Sequence, residues 1–184
     1  RLLLSQSSLD VENLIRNDLT QALATAIDLG ALAGTGSSGQ PTGISGTSGI
    51  NTTTFAAATP TWAEIVAMES AVANDNALNG SLGYICRPAD FGTLKTVEKA
   101  SGTAQFVVNP DNSMNGYNVV RSNQVTSGDF YFGNFADLLI GMYGGLDITV
   151  DPYALSTSGG VRIVALQTVD VAVRHAVSFC KSSD

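Results

Sequence analysis

The feature that most constrains this chain is a long stretch of helical periodicity near its start. Between Leu9 and Ala33 apolar residues recur at spacings of three and four. Ser8 can cap this helix, and Gly34 can end it in a left-handed conformation. At about 1.5 Å per residue the helix is roughly 37 Å long, about twice the usual length in globular proteins. It therefore needs a long partner surface, either a sheet of the same chain or a neighbouring subunit.

The helix is followed by the segment GTGSSGQPTG, which contains the pattern G-x-G-x-x-G at Gly34, Gly36 and Gly39. In dinucleotide-binding proteins this pattern lies between a strand and a helix N-terminus that binds phosphate. Here it follows a helix C-terminus, whose partial negative charge repels phosphate. Pro41 also prevents the helix from resuming. We therefore interpret Gly34, Gly36, Gly39, Pro41 and Gly43 as parts of a loop that leaves the helix C-terminus, and we predict no cofactor.

The composition is that of an acidic protein with few charges. Charged residues make up 14% of the 184 residues, against a usual value of about 25%, and the net charge is −7. Low charge density is typical of surfaces covered by other protein, although it also suits a monomer rich in polar loops. The nine basic residues are scattered singly, which argues against direct nucleic-acid binding.

Cysteine usage and hydropathy narrow the class of protein further. Cys86 and Cys180 are far apart and have no C-x-x-C motif, so we interpret them as buried apolar residues in a reducing compartment. No apolar run approaches the roughly 20 residues that cross a bilayer, and the start of the chain does not resemble a signal peptide. We predict no association with a membrane.

Beyond the glycine loop the sequence predicts short helices and strands. Helices are expected over 62–73, where Thr61 and Glu64 have capping-box spacing, and from Pro88 to 100. Strands are expected at 50–55, 82–87, 105–110, 117–122, 129–135, 138–143, 146–152 and 161–173. The last two should form an antiparallel hairpin, because parallel pairing needs a crossover of a dozen or more residues. The middle of the 161–173 strand is apolar enough on both faces to be covered.

Three arrangements imitate functional sites without meeting their requirements. Segment 111–122 resembles a calcium loop, but its twelfth position is Ser122 instead of Glu, so a turn is expected. His175 is the only histidine and lies at a strand end, with no nucleophile elbow in the chain. Three carboxylates could share one side of a sheet, where solvated strand positions explain them: Asp147, Asp151 and Asp170. We predict no catalytic residue and no metal site.

Four segments, taken in order, resemble a known family. They are LGALAGTGSSGQPTGI, RPADFGTLKTVEKASG, NGYNVVRSNQVTSGDFYFGNFADLLIGMYGGLDITVD and VRIVALQTVDVAVRHAVSF. Together they resemble the major capsid proteins of tailed bacteriophages of the Hong Kong 97 type over nearly the whole chain. The most telling pieces are GQPTGI after the long helix and GNFADLLIG before an acidic strand. The resemblance implies an α+β fold with a long spine helix, a long β-hairpin and an axial α+β domain.

The resemblance also implies a division into domains. Residues 1–41 would carry the spine helix of a peripheral domain, 42–143 the axial domain, 144–174 the peripheral hairpin and 175–184 a tail returning to the axial domain. The glycine loop, with Gly34, Gly36, Gly39, Pro41 and Gly43, would then be a candidate hinge between the spine helix and the axial domain. The family's N-terminal arm and projecting loop precede the spine helix. We therefore expect a prophage-encoded fragment that lacks both and that assembles weakly.

The function implied by the resemblance is structural. Many copies would form capsomer rings, and the rings an icosahedral shell around phage DNA, assembled in the host cytoplasm as part of the virion. Neither enzymatic activity, a small-molecule substrate nor sequence-specific DNA contact is expected. A bacterial compartment shell of the encapsulin type shares the fold and is the nearest alternative. Two others are a nucleotide-binding enzyme that uses the 34–39 loop and a secreted adhesin-like β module with glycosylation sequons at Asn51 and Asn79.

Overall fold

The long helix, α1, runs over Val11–Ala33 in the computed structural model, which describes residues 11–57, 59–151, 153–158 and 160–183. Its predicted start, with the cap at Ser8, lies outside the described residues. One stripe of side chains at spacings of four is half-buried, while most other described positions of the helix before residue 30 are exposed; the stripe consists of Ile15, Leu19, Leu23 and Ile27. The helix is amphipathic, and most of its surface lies open in the single chain. It is not apolar enough to span a membrane, nor is any other helix in the described part of the chain.

Two shorter α-helices and eight strands follow α1 in the described part of the chain, together with four single-turn 3-10 helices. The helices are α2 (Trp62–Asn74) and α3 (Pro88–Leu94). The strands are β1 (Asn51–Thr54), β2 (Leu82–Cys86), β3 (Ser113–Met114), β4 (Tyr117–Arg121), β5 (Phe130–Asn134), β6 (Leu138–Asp151), β7 (Arg162–Val173) and β8 (Phe179–Ser183).

Six of the strands form one mixed sheet in the order β1-β8-β5-β2-β4-β3. Strands β1 and β8 pair in parallel, as do β2 and β4, whereas β5 runs antiparallel to both of its neighbours, β2 and β8. The chain thus brings its last described strand back into the sheet, between the edge strand β1 and β5.

The main core lies between this sheet and α2. Ile65, Met68 and Val72 recur on one face of the helix and are fully buried. Opposite them, the rings of Tyr84 and Phe132 lie 4.5 Å apart between centroids. The Tyr84 hydroxyl donates to the backbone oxygen of Ile65 at 3.1 Å, so its polar end is satisfied inside the core.

The remaining two strands, β6 and β7, form a sheet of their own. The Arg174 amide, directly after β7, donates to the Asp137 oxygen, directly before β6, at 2.8 Å. Further along, the Gln167 side chain donates to the Tyr143 oxygen at 3.4 Å. Residue numbers rise along one strand as they fall along the other, so the strands form the predicted antiparallel hairpin.

The hairpin differs from its prediction in length and in burial. Segments 138–143 and 146–152 were expected to be separate strands, but they are continuous in β6. Gly144, which lies between the two predicted segments, has a φ of 74°, a left-handed conformation that glycine adopts without strain. The covered strand expected at 161–173 is also wrong for the single chain, because Leu166 in its middle is 61% exposed. A two-stranded sheet has no third strand beside it, and residues along β7 are half-buried or exposed up to Asp170.

The predicted third helix is too long, and the strand expected at 105–110 is absent. Helix α3 ends at Leu94, and residues 97–99 instead pair with 105–107. The Val107 amide donates to the Val97 oxygen at 2.9 Å, and the Lys99 amide to the Gln105 oxygen at 2.7 Å. The two segments therefore pair with each other. They form a short bridge, and neither becomes a helix or a regular strand.

The chain separates into two compact units. The first contains the described part of Arg1–Asp28 together with Gly141–Asp170, that is, most of α1 and most of the hairpin. The second contains Leu29–Ile140 and the described part of Val171–Asp184, including the six-stranded sheet. The predicted assignment of spine, axial, hairpin and tail segments stays a prediction.

The capping box predicted at the start of α2 is present. The Glu64 amide donates to the Thr61 hydroxyl oxygen at 3.4 Å, and the Glu64 carboxylate accepts from the Thr61 amide at 2.7 Å. The second carboxylate oxygen accepts from the Ala56 amide at 2.7 Å. These backbone hydrogen bonds, from Thr61 first and then Ala56, lower the pKa of Glu64 below its usual value of 4.5.

Replacing this carboxylate should make stability less dependent on pH. We expect Glu64→Gln to lower the free energy of unfolding at neutral pH by about 0.3–1 kcal/mol, because an uncharged amide accepts these hydrogen bonds less well. A lowered folded-state pKa contributes stability above the unfolded-state pKa that is lost as pH falls through the folded value. The gap between wild type and variant should therefore narrow below about pH 4.5. Urea unfolding across this range measures it, and a constant gap would contradict the assignment.

Candidate functional site

The glycine loop folds back onto the last turn of α1. The Gly34 amide donates to the Gly30 oxygen at 3.1 Å, so helical hydrogen bonding continues to Gly34. The Gly43 amide donates to the Gly34 oxygen at 2.9 Å. Between them, Thr35 and Thr42 form an antiparallel bridge. The loop is a small hairpin whose two arms meet at Gly34 and Gly43.

Close backbone contact explains the glycines at this junction. A Cβ atom on Gly34 would lie 2.3 Å from the Pro41 oxygen and 2.4 Å from the Gly30 oxygen. A Cβ atom on Gly43 would lie 2.6 Å from the Gly30 oxygen. The expected left-handed end of the helix at Gly34 is wrong, since positive φ values occur at Gly36 and not at Gly34. Glycine is needed at position 34 because a side chain would clash with backbone oxygens there, and not because the backbone adopts a positive φ.

In this arrangement, backbone amides that could bind a nucleotide phosphate are already used within the chain. A phosphate loop presents free backbone amides to the ligand. Here the amides of Gly34, Gly36 and Gly43 donate to oxygens of Gly30, Pro41 and the loop itself. The structure thus brings Gly34, Gly36, Pro41 and Gly43 together, whereas a Cβ atom on Gly39 would have no neighbour within 4 Å, and a role as a hinge stays a prediction.

The other sequence-predicted positions have structural surroundings. The Asp111 carboxylate accepts from the Ser113 hydroxyl at 2.7 Å and from its amide at 2.9 Å, which lowers the pKa of Asp111 and closes the predicted turn. His175 is exposed at the end of β7. Within the described residues, no group of three or more His, Cys, Asp or Glu side chains could hold a metal ion.

The three strand carboxylates are not brought together into a reactive group. Asp147 and Asp170 are exposed, and Asp151 accepts from the amides of Tyr153 and Ala154 at 2.8 and 3.2 Å, which starts the turn at the hairpin tip.

The two cysteines are fully buried free thiols, as predicted. Burial raises the pKa of Cys86 to about 12 and also raises that of Cys180. Both thiols therefore stay neutral near pH 7, and neither is an activated nucleophile.

The largest feature that the sequence analysis missed is an exposed apolar surface on the hairpin. Its members, here called the hairpin surface, are Met142, Tyr143, Leu146, Val150, Tyr153, Leu155 and Leu166. Tyr143 and Leu166 are 81% and 61% exposed. They are spread over both faces and the tip of the hairpin, and exposed apolar side chains concentrated on one element mark a candidate site of protein association. The signal in the sequence was the two-sided apolar character of β7, which was interpreted as burial within the chain.

The family model for the phage capsid family matches residues 1–183. The chain belongs to the phage capsid family. It is similar to the major capsid protein of Halomonas phage phiHAP-1, with 35% identity over 179 residues. That similarity covers 97% of this chain and 29% of the relative, so the chain spans less than a third of that protein's length.

Solved capsid structures confirm the predicted fold for this member of the phage capsid family. The capsid of an empty GTA particle superposes with a TM-score of 0.74 at 20% identity, covering 99% of this chain and 67% of that one. A structure from Gordonia phage Cozz gives a TM-score of 0.69 at 16% identity, covering 98% and 65%. The fold is α+β and Hong Kong 97-like, as the resemblance implied.

The junction between α1 and the glycine loop should be intolerant of any side chain. We expect Gly34→Ala to destabilise the protein by more than about 1 kcal/mol, because the added methyl group meets two backbone oxygens that cannot move independently. Gly92→Ala is the matched control. Gly92 lies in α3, and a Cβ atom added there would have no neighbour within 4 Å, so alanine should stabilise by about 0.5–1 kcal/mol. Denaturant unfolding measures both, and equal effects would contradict the close-contact explanation.

Proposed function

We propose that this chain belongs to a shell subunit, copies of which form capsomer rings that close into an icosahedral shell. Membership of the phage capsid family and similarity to a phage major capsid protein favour this over the bacterial compartment alternative. The observation that carries the proposal is the hairpin surface, because a monomer has no reason to expose so many large apolar side chains together. Closed symmetry requires repeated interfaces of this kind.

The shell encloses phage DNA without sequence-specific contact. The net charge of −7 and the scattered basic residues support enclosure instead of binding, because phosphate contacts need clustered Lys and Arg. An acidic wall repels packed DNA and so does not retain it. The subunit is a virion component that assembles in the cytoplasm of the bacterial host, and its role is structural, with no catalytic step.

The domain assignment is part of the same proposal. Helix α1 and the hairpin serve as the peripheral domain, and their membership of one compact unit supports this. The pairing of β8 with β1 and β5 supports the return of the tail, 175–184, to the axial domain. The glycine loop, 34–43, joins the two domains as a hinge during assembly.

The proposal is tested by purifying the complete protein that carries this sequence. Negative-stain microscopy and sedimentation velocity should detect rings or closed shells. Protein that stays monomeric at all concentrations and ionic strengths would contradict the proposal.

One substitution on the hairpin should separate assembly from folding. Leu166 is largely exposed, so Leu166→Asp should change the free energy of unfolding by less than about 0.5 kcal/mol. In an interface the same aspartate becomes a buried unpaired charge, so we expect at least about a tenfold lower yield of particles. Leu166→Val keeps the surface apolar and should assemble normally. If Leu166→Asp gives particles in wild-type yield, the hairpin surface is not part of the interface between subunits.

A further inference from the structure

A cavity of about 450 Å³ opens in the second unit beside the start of α2. Its walls combine positive charge with apolar surface, and the residues that matter are Lys95, Lys99, Gln105, Phe106, Val108 and Pro110. Phe106 is 42% exposed, which is unusual for a large aromatic side chain. The cavity is here called the basic pocket.

The cations of the basic pocket are held in place by aromatic rings. The Lys99 ammonium lies 4.3 Å from the centre of the Trp62 ring. Lys95 and Arg121 both lie 5.1 Å from the centre of the Phe91 ring. Three of the nine basic residues of an acidic chain therefore lie around two aromatic side chains.

The lysine ammonium groups that line the pocket have N–H donors left to bind a ligand. Lys99 donates to the Asn109 oxygen at 3.2 Å, which uses one of its three hydrogens. In the part of the chain that the structure describes, neither Lys95 nor Lys99 forms a salt bridge with a carboxylate. A ligand that fits the pocket is thus an acidic group next to an apolar one.

The same unit carries a loop of that chemistry at the other end of α2. Residues 74–79, the sequence NDNALN, begin at the last residue of the helix, and both the Asp75 side chain and the Leu78 side chain are exposed. One Asp75 oxygen accepts from the Asn51 side chain at 2.8 Å, which leaves its Oδ1 for another donor. The helix C-terminus adds partial negative charge there.

The spacing of the two features suits association of copies from head to tail. Lys99 lies on Trp62, the first residue of α2, and Asp75 follows its last. Since α2 has 13 residues at about 1.5 Å each, the pocket and the loop lie roughly 20 Å apart. A loop cannot reach the pocket of its own unit over this distance. Two different patches near the two ends of α2 give a heterologous contact, which forms rings when the rotation between copies closes.

We propose that the basic pocket of one copy binds the 74–79 loop of a neighbouring copy. The Asp75 carboxylate accepts from Lys95 and Lys99, and Leu78 packs on Phe106. This contact rests on the proposed shell function, for which it names an interface within the ring. A DNA phosphate fits less well, because apolar side chains make up much of the pocket wall, whereas phosphate backbones follow continuous basic stripes.

Cysteine cross-linking in the assembled complete protein tests the contact. In the double variant Leu78→Cys with Phe106→Cys, each copy carries both halves of the contact, so mild oxidation should join copies in series. Non-reducing electrophoresis should then show a ladder beyond the dimer. The native thiols do not interfere, because both are fully buried. The matched control pairs Leu78→Cys with Val120→Cys, since Val120 is similarly exposed at 49% but lies outside the pocket.

The outcomes separate this inference from the shell function. A ladder in the pocket pair and none in the control pair supports the contact. Particles that assemble but show no ladder overturn the contact and leave the shell function standing. Wild-type protein that never assembles overturns both.

Charge exchange gives a second readout. Asp75→Lys should lower particle yield about tenfold, and adding Lys95→Asp to it should restore most of that loss. Arg87→Glu, an equal charge change at an exposed position outside the pocket, should assemble normally. If Lys95→Glu leaves assembly unchanged and instead weakens retention of added DNA, the pocket binds nucleic acid and the proposal is wrong.

Discussion

The burial of strand β5 on both faces holds the second unit together. Side chains alternate along a strand, so Phe130 and Phe132 point to one face and Tyr131 to the other. The first pair joins the core beneath α2, whereas Tyr131 joins a second cluster with Leu32 and Phe179. One five-residue strand thus ties the end of the long helix and the returning tail to the same sheet. Burial of this kind on both faces requires a layer on each side.

The hairpin, in contrast to β5, leaves many of its apolar side chains exposed. Its two strands satisfy each other's hydrogen bonds, but each of them is also an edge of the sheet that they form. Its apolar side chains therefore remain exposed in one chain. In a shell subunit this is a requirement of function, because apolar area that the subunit cannot bury alone is available to drive association. The low density of charge serves the same end, since fewer charges need to be desolvated when copies meet.

Local chemistry was predictable where neighbouring residues supply the partners. The box of Thr61 and Glu64 starts α2 because both groups lie within one helical turn, and the Asp111 turn closes on Ser113 two residues later. Predictions were wrong where the partner is distant or competes with the local preference. Residues 97–99 have helical neighbours before them but pair with 105–107, and the two strands expected at 138–143 and 146–152 are continuous through Gly144. The basic pocket was missed because Lys99 and Trp62 are far apart in sequence.

The sequence by itself determined the long amphipathic helix, the capping box, the turn residues, the hairpin and, through the order of its segments, the family. These features depend on periodicity and on contacts between near neighbours, which a sequence displays directly. Only the tertiary structure decided that Gly34 serves close packing, that β8 pairs with both β1 and β5, and that the apolar residues of β7 stay uncovered. Each of these depends on which backbone atoms and which layers meet, and that is a property of the folded chain.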